Sequence, residues 1–259
     1  NNYRKADNKT DFMKGAYLGP EFNNKNIESY LKRNGYSYQT LTDEELLEKI
    51  ADLIVSDKVI GWFQGRMEFG PRALGSRTII GDARSSTMQK TMNLKIKYRE
   101  SFRPFAPSVR AENISDYFEI DRESPYMLLV ANVQKSKQVE ISAEQNSYFG
   151  LDKLNVVRSE VPAVTHVDYS ARIQSVNEQT NPRFHQMLTK FNDKYGCPVI
   201  VNTSFNVRGE PIVCTPKDAY LCFMRTEMDC LIIGNYLLDK TEQKPLVGDS
   251  EWQSEFELD

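Results

Sequence analysis

Apolar positions recur at helical spacing in several stretches of the chain. Between 42 and 54, Leu46, Ile50, Leu53 and Ile54 fall on one stripe behind Thr42 and Glu45, which form a capping box. Between 181 and 195, Phe184, Met187, Leu188, Phe191 and Tyr195 line one face. Asn181 is the N-cap there, Pro182 takes the first helical position, and Gly196 ends the helix. Met88, Met92 and Ile96 predict a third helix over 86–97, with Ser86 and Gln89 as a second capping box. Thr215 and Pro216 open another that runs to about Arg225, and shorter helices are expected over 26–34, capped by Asn26, and 111–118.

A second pattern is the short continuous apolar run, which suits a strand buried on both faces. It occurs at 59–63, 126–133, 161–167, 198–201 and 230–233, with a shorter aromatic run at 36–40. Residues 65–84 read as loop with one helical turn around Arg72–Leu74, and 100–107 as a rigid two-proline loop. Residues 134–160 read as a polar insertion. The first 20 residues read as a linker or an arm that packs against something outside the chain, and those beyond about Lys240 as a loose acidic tail. Strands and helices mix without strict alternation. The expected fold class is therefore α/β (α+β), an open twisted mixed sheet with flanking helices.

The chain has 259 residues, 40% hydrophobic and 11% aromatic, enough for a packed core. Its formal charge of −3 disfavours a dedicated nucleic-acid binder, which usually carries a basic domain. No run approaches the ~18 apolar residues of a membrane span. Cys197, Cys214, Cys222 and Cys230 form no C-x-x-C pair and lie in apolar sequence, which reads as reduced thiols of a cytoplasmic protein. With two histidines, no metal-binding residues are assigned.

Against this acidic background, 61–110 concentrates positive charge: Arg66, Arg72, Arg77, Arg84, Lys90, Lys95, Lys97, Arg99, Arg103 and Arg110. Glycines and prolines punctuate it. Guanidinium groups on stiff turns suit phosphate or carboxylate, although most charge runs are solvated faces. The glycine-loop patterns that cradle nucleotide phosphates are absent, so side chains must hold any nucleotide. Arg72, Arg77, Lys97, Arg99 and Arg103 are the candidates. Asn202-Thr203-Ser204-Phe205-Asn206 at the mouth of a strand offers uncharged donors, or an ordinary turn cap. Arg172 either pairs locally with Asp168 or points at the same anion as Lys97. His166 reads as structural. No nucleophile with a visible partner appears, so charge stabilisation and positioning are the expected catalytic means.

The stretches GRMEFGPRALGSR, NLKIKYRESFRPFAPSV, SPYMLLV, VPAVTHVDYSARIQSV, NTSFNVRGEPIV and TPKDAYLCF resemble, in order, the C-terminal part of the NodU/CmcH/TobZ carbamoyltransferases. The resemblance covers roughly residues 15–240. It implies a YrdC/Sua5-like domain over 41–240 that makes carbamoyladenylate from carbamoyl phosphate and ATP. Residues 1–40 would be an arm from a missing N-terminal Kae1-like domain with its own metal, and 241–259 a polar tail. That missing domain would pass the carbamoyl group to a hydroxyl of a small acceptor. The carry-over makes Lys97, Arg103 and Arg172 catalytic and Arg72, Asn202 and Ser204 substrate-binding, with Arg77 and Arg99 beside them. ATP is the co-substrate, and Mg²⁺ is expected to shield it. The family pattern D-G-T-A-R is here Asp168-Tyr169-Ser170-Ala171-Arg172, which places a bulky residue where glycine is usual. The rival expectation is a YrdC-like module that binds RNA or nucleotide without turnover.

Overall fold

A computed structural model describes residues 11–246. Chain order begins with α1 (Asn24–Asn34), β1 (Gln39–Thr40), α2 (Asp43–Val55), β2 (Ile60–Phe63), β3 (Arg77–Asp82), α3 (Met88–Lys95) and β4 (Ala106–Arg110). It continues with α4 (Ile114–Tyr117), β5 (Leu129–Asn132), α5 (Ala143–Asn146), α6 (Gly150–Leu154), β6 (Ser170–Val176) and α7 (Pro182–Tyr195). It closes with β7 (Val199–Ser204), α8 (Pro216–Arg225), β8 (Cys230–Ile233) and β9 (Tyr236–Asp239).

The strands form one mixed sheet in the order β1-β9-β8-β2-β3-β7-β4-β6-β5. The pairs β2–β8 and β4–β6 are parallel and the others antiparallel. This is the open mixed α/β sheet the pattern predicts. The core lies where the stripe of α2 (Leu46, Ile50, Ile54) and the face of α7 (Phe184, Met187, Leu188, Phe191) cover the central strands; all of these side chains are buried. Salt bridges from Glu48 to Lys190 and Lys194, at 2.6 and 2.8 Å, lie along the outer seam of α2 and α7.

Helix ends marked by clear cap chemistry fall where expected. Thr42 and Glu45 make both bonds of their capping box. Asn181 accepts from Phe184 N, and Gly196 closes α7 in the left-handed region. Thr215 and Asp218 cap α8. In contrast, α1 is capped by Asn23 rather than Asn26, and α3 begins at Met88 with no side-chain cap from Ser86.

Other expectations are corrected, each for a physical reason. The supposed loop 65–84 contains β3, a fully buried central strand whose ends are Arg77 and Asp82; charged ends hid its apolar middle. The supposed two-proline loop ends inside β4. Pro107 is tolerated because its pairing is with Val201 of β7 alone, and pairing with β6 starts only at Ser108. Residues 161–167 hold a 3₁₀ turn at Pro162–Val164 instead of a strand, because proline enters the run. The strand expected at 126–133 shrinks to β5, an edge strand with largely exposed residues. β6 starts at Ser170, so Asp168 precedes the strand and Arg172 lies within it.

Residues 14–22 lie on this chain's own surface. The Tyr17 hydroxyl donates to Leu74 O at 2.7 Å and accepts from Asn181 Nδ2 at 3.1 Å. Gly19 N donates to Met67 O, and Met67 N to Pro20 O, both at 2.9 Å. These contacts brace the loop that carries Arg72. Residues 1–10 and most of the tail expected after Lys240, 247–259, lie outside the described residues. Residues 240–242 form a 3₁₀ turn.

Candidate anion-binding cleft

The site is built on the connection from β2 to β3. Its chain reversal is held from inside by Glu68, whose Oε1 accepts from Leu74 N and Ser76 N at 2.7 Å and from Arg77 N at 3.2 Å. Trp62 Nε1 donates to Gly75 O at 2.8 Å. Gly75 has φ +105°, and a Cβ there would sit 2.3 Å from Phe184 Cδ1, so only glycine lets the loop approach α7. This framework leaves the backbone around Arg72 little freedom.

A polar network locks that loop to the sheet. Asn202 Nδ2, on β7, donates to Ala73 O at 3.0 Å, Ser108 Oγ at 2.9 Å and Gln174 Oε1 at 2.8 Å. Gln174 Nε2 donates in turn to Leu74 O at 2.7 Å, and Ser108 Oγ to Gln174 Oε1 at 2.6 Å. Ser108 and Gln174 escaped the sequence reading. Their signal was a polar residue at a buried strand position, but neither strand had been recognised. Asn202 Oδ1 is buried without a hydrogen-bond partner.

Arg72, Arg99, Arg172, Asn202, Thr203 and Ser204 line one cleft, walled by Phe105 and Met127. Five sequence candidates therefore converge: Arg72, Arg99, Arg172, Asn202 and Ser204. Arg172 is half-buried, and burial followed by the charge of Arg72 holds its pKa below the ordinary arginine value. Its Nε has no hydrogen-bond partner, and its Nη2 meets only Met127 Sδ at 3.8 Å. Neither Arg72 nor Arg172 has a carboxylate partner among the described residues. The local alternative, Arg172 paired with Asp168, is not formed: Asp168 Oδ1 accepts from Ser170 N at 3.1 Å and Ser170 Oγ at 2.7 Å. Tyr169 takes φ +66°, the left-handed region that favours glycine, so the turn keeps a glycine-like backbone despite its side chain. His166 is tied to Ser170 Oγ through Nδ1 at 3.0 Å.

Three candidates lie elsewhere. Arg77 is fully buried and does not line the cleft. Its Nη1 donates to Gln64 O at 2.9 Å and Ser76 O at 3.1 Å, its Nη2 to Pro20 O at 3.3 Å, and its guanidinium lies 3.6 Å over the Phe63 ring. Arg103 does not line the cleft; its Nε pairs with Glu100 at 3.0 Å. Lys97 is buried beneath the 204–206 turn. Its Nζ donates to Ser204 O, to Asn206 O and Asn206 Oδ1 at 2.8 Å each, and to Ser204 Oγ at 3.3 Å.

Residues 51–240, most of the chain, match the family model described as carbamoyltransferase C-terminus. The chain belongs to that family. Among its relatives is the uncharacterized protein sll1178 of Synechocystis, 59% identical over 97% of this chain and 41% of the relative. The 3'-hydroxymethylcephem-O-carbamoyltransferase of Amycolatopsis lactamdurans is 31% identical over 75% of this chain and 33% of the enzyme. The chain thus spans less than half the length of these relatives. Among solved structures, Sua5 of P. abyssi in complex with L-threonine aligns with 76% of this chain and 48% of its own, at 12% identity and a TM-score of 0.48. Among the described residues, no helix is long and apolar enough to cross a membrane, and no group of three or more His, Cys, Asp or Glu could hold a metal ion. No disulfide is formed: Cys197, Cys222 and Cys230 are buried and Cys214 is half-buried, all as free thiols.

In this carbamoyltransferase C-terminus domain, Lys97 has a measurable signature. Burial pushes its pKa down to about 7 from 10.5. The unfolded chain then binds more protons than the native one between these values, so the Lys97 contribution to stability rises with pH across that window. In Lys97→Met that rise disappears. Urea unfolding of both proteins at pH 7 and pH 9 should show wild type gaining stability relative to the variant. A constant difference would mean that the buried ammonium keeps its proton.

Proposed function

We propose that this domain forms carbamoyladenylate from carbamoyl phosphate and ATP, and that a further domain of the longer protein transfers the carbamoyl group to a small-molecule hydroxyl. The observation that carries this reading is the pair Arg72–Arg172, two cations within electrostatic reach of each other and without an acid between them. Such a pair is costly unless an anion joins it, because charge left uncompensated in a partly buried place is expensive. Arg offers a planar fork to phosphate oxygens. Asn202 Oδ1, a buried acceptor in the same cleft wall, suits the N–H donors of a carbamoyl group. Membership of the carbamoyltransferase C-terminus family supports the carbamoyl chemistry.

ATP and carbamoyl phosphate repel each other. Two unit charges 4 Å apart interact by about 4 kcal/mol at an effective dielectric near 20. Arg72, Arg99 and Arg172 offset that repulsion and stabilise charge developing on the α-phosphate. For the atoms to balance, one water takes the phosphoryl group of carbamoyl phosphate, and the released carbamate oxygen bonds to the α-phosphorus as pyrophosphate leaves. Among the described residues no group of three or more His, Cys, Asp or Glu could hold a metal ion, and the Mg²⁺ in this proposal is the ion bound to the nucleotide phosphates. Lys97 acts from beneath: by fixing the 204–206 turn it sets the position of Ser204, making it a positioning residue.

The test is exchange of labelled pyrophosphate into ATP by the full-length protein. Exchange should appear only when carbamoyl phosphate is supplied. Exchange that ignores carbamoyl phosphate, or its complete absence, defeats the adenylation reading.

A further inference from the structure

Residues 11–20 touch both walls of the cleft. On one wall they hold the loop that carries Arg72 on either side of that residue: Phe69 N donates to Ala16 O at 2.7 Å, and the Tyr17 hydroxyl donates to Leu74 O at 2.7 Å. On the other wall, the Tyr126 hydroxyl donates to Asp11 Oδ1. Its neighbour Met127 lines the cleft and meets Arg172 Nη2 through its sulfur at 3.8 Å. Ala16, Leu74, Ala106 and Met127 form a small buried cluster with Tyr17 and Tyr126 packed against it, so the two walls share one apolar joint. The segment keeps an uncommon backbone. Lys14, Gly15 and Ala16 take φ of +47°, +71° and +62° in succession. Consecutive left-handed residues persist only where surrounding contacts over-determine them. Asp11 supplies such contacts: its Oδ1 accepts from Met13 N at 3.0 Å and its Oδ2 from Gly15 N at 2.7 Å.

We propose that residues 11–20 are a strap that fixes the spacing of Arg72 from Arg172, with Tyr17 and Asp11 as positioning residues for anion binding. The proposal rests on the reading of this cleft as an anion site given above. Two cations on different elements share one anion well only when the gap between them matches it, because a charge-assisted hydrogen bond weakens steeply with distance and angle. Arg172 lies within β6, whereas Arg72 lies in the loop between β2 and β3. Gln174 of β6 holds that loop after Arg72, at Leu74. The strap adds the hold before it, at Met67 and Phe69, and carries it across to Tyr126 on the Arg172 side.

Calorimetric titration of the full-length protein with inorganic phosphate tests the strap, using Tyr17→Phe and Asp11→Asn, each alone and combined with Arg72→Gln. Circular dichroism checks that every variant is folded. Tyr17→Phe keeps the ring in the apolar joint and strands no polar group: Leu74 O retains Gln174 Nε2 as donor, and Asn181 Nδ2 retains Gly75 O at 3.3 Å. Asp11 is exposed, so its change spares the core. Each substitution should weaken phosphate binding about fivefold, the loss expected for a tether of one hydrogen bond. With Arg72→Gln already present, the cation that the strap positions is gone, and neither change should weaken binding further. A residue that only supports the fold would cost the same factor in both backgrounds. Wild-type affinity in either single variant, or equal losses with and without Arg72, would overturn the strap and leave the cleft and adenylation standing. A wild type that does not bind phosphate overturns the cleft and the strap together. The expected phosphate pattern without carbamoyl-phosphate-dependent exchange keeps the strap and removes adenylation.

Discussion

Replacing Arg172 by alanine should lower carbamoyl-phosphate-dependent pyrophosphate exchange about 100- to 1,000-fold, the usual loss when one preorganised donor to a developing charge is removed. Arg172 spends almost none of its hydrogen-bonding capacity on the protein: its Nε is unpartnered and its Nη2 touches only a methionine sulfur. Its loss therefore leaves no buried acceptor stranded, and relief from the charge of Arg72 works in favour of the fold. Unfolding by urea should accordingly change by less than about 1 kcal/mol, within the range of substitutions that break no packed contact. Arg172→Lys should restore only part of the activity, because an ammonium lacks the planar fork. Exchange kinetics and equilibrium unfolding on the same preparations check both halves. Wild-type exchange in Arg172→Ala would take this residue out of the mechanism.

Arg77→Met should do the opposite, costing about 3 kcal/mol or more of stability. The guanidinium is fully buried, stacks on Phe63 and donates to carbonyls of Gln64, Ser76 and Pro20. Methionine fills part of the volume but strands the carbonyl of buried Gln64, while Ser76 O keeps Gln64 N and Pro20 O keeps Met67 N as donors; a stranded buried group costs about 1–3 kcal/mol. It also leaves the Glu68 carboxylate in the protein interior without the nearby positive charge. The fully buried Glu68 Oε2 has no hydrogen bond to compensate. The measurement is the urea midpoint by circular dichroism, with affinity for inorganic phosphate at low temperature as a second readout. Near-native stability together with lost anion affinity would return Arg77 to the cleft.

Arg77 lies five residues after Arg72 and Arg172 a hundred after it, and no spacing rule separates their roles. Both were nominated from a basic stretch or a family motif, and nothing in the local sequence marks one as scaffold and the other as ligand-facing. The difference is set by β3, which carries Arg77 into the centre of the sheet between β2 and β7. That strand was read as loop because its ends are charged.

By itself, the sequence determined what acts over one or two helical turns. The stripes of α2 and α7, the caps at Thr42, Asn181 and Thr215, the glycine stop at Gly196 and the apolar strands β2, β7 and β8 are all local consequences of side-chain spacing and backbone preference. The mixed sheet followed from those elements, and the family motifs marked most of the cleft. Only the tertiary structure decided which cations lack a counter-charge, because compensation comes from groups remote in the chain. It buried Arg77 among carbonyls, set Lys97 under the 204–206 turn and left Arg72 and Arg172 together without an acid. Electrostatic energy depends on distance in space and on access to water, and neither quantity is written along the chain.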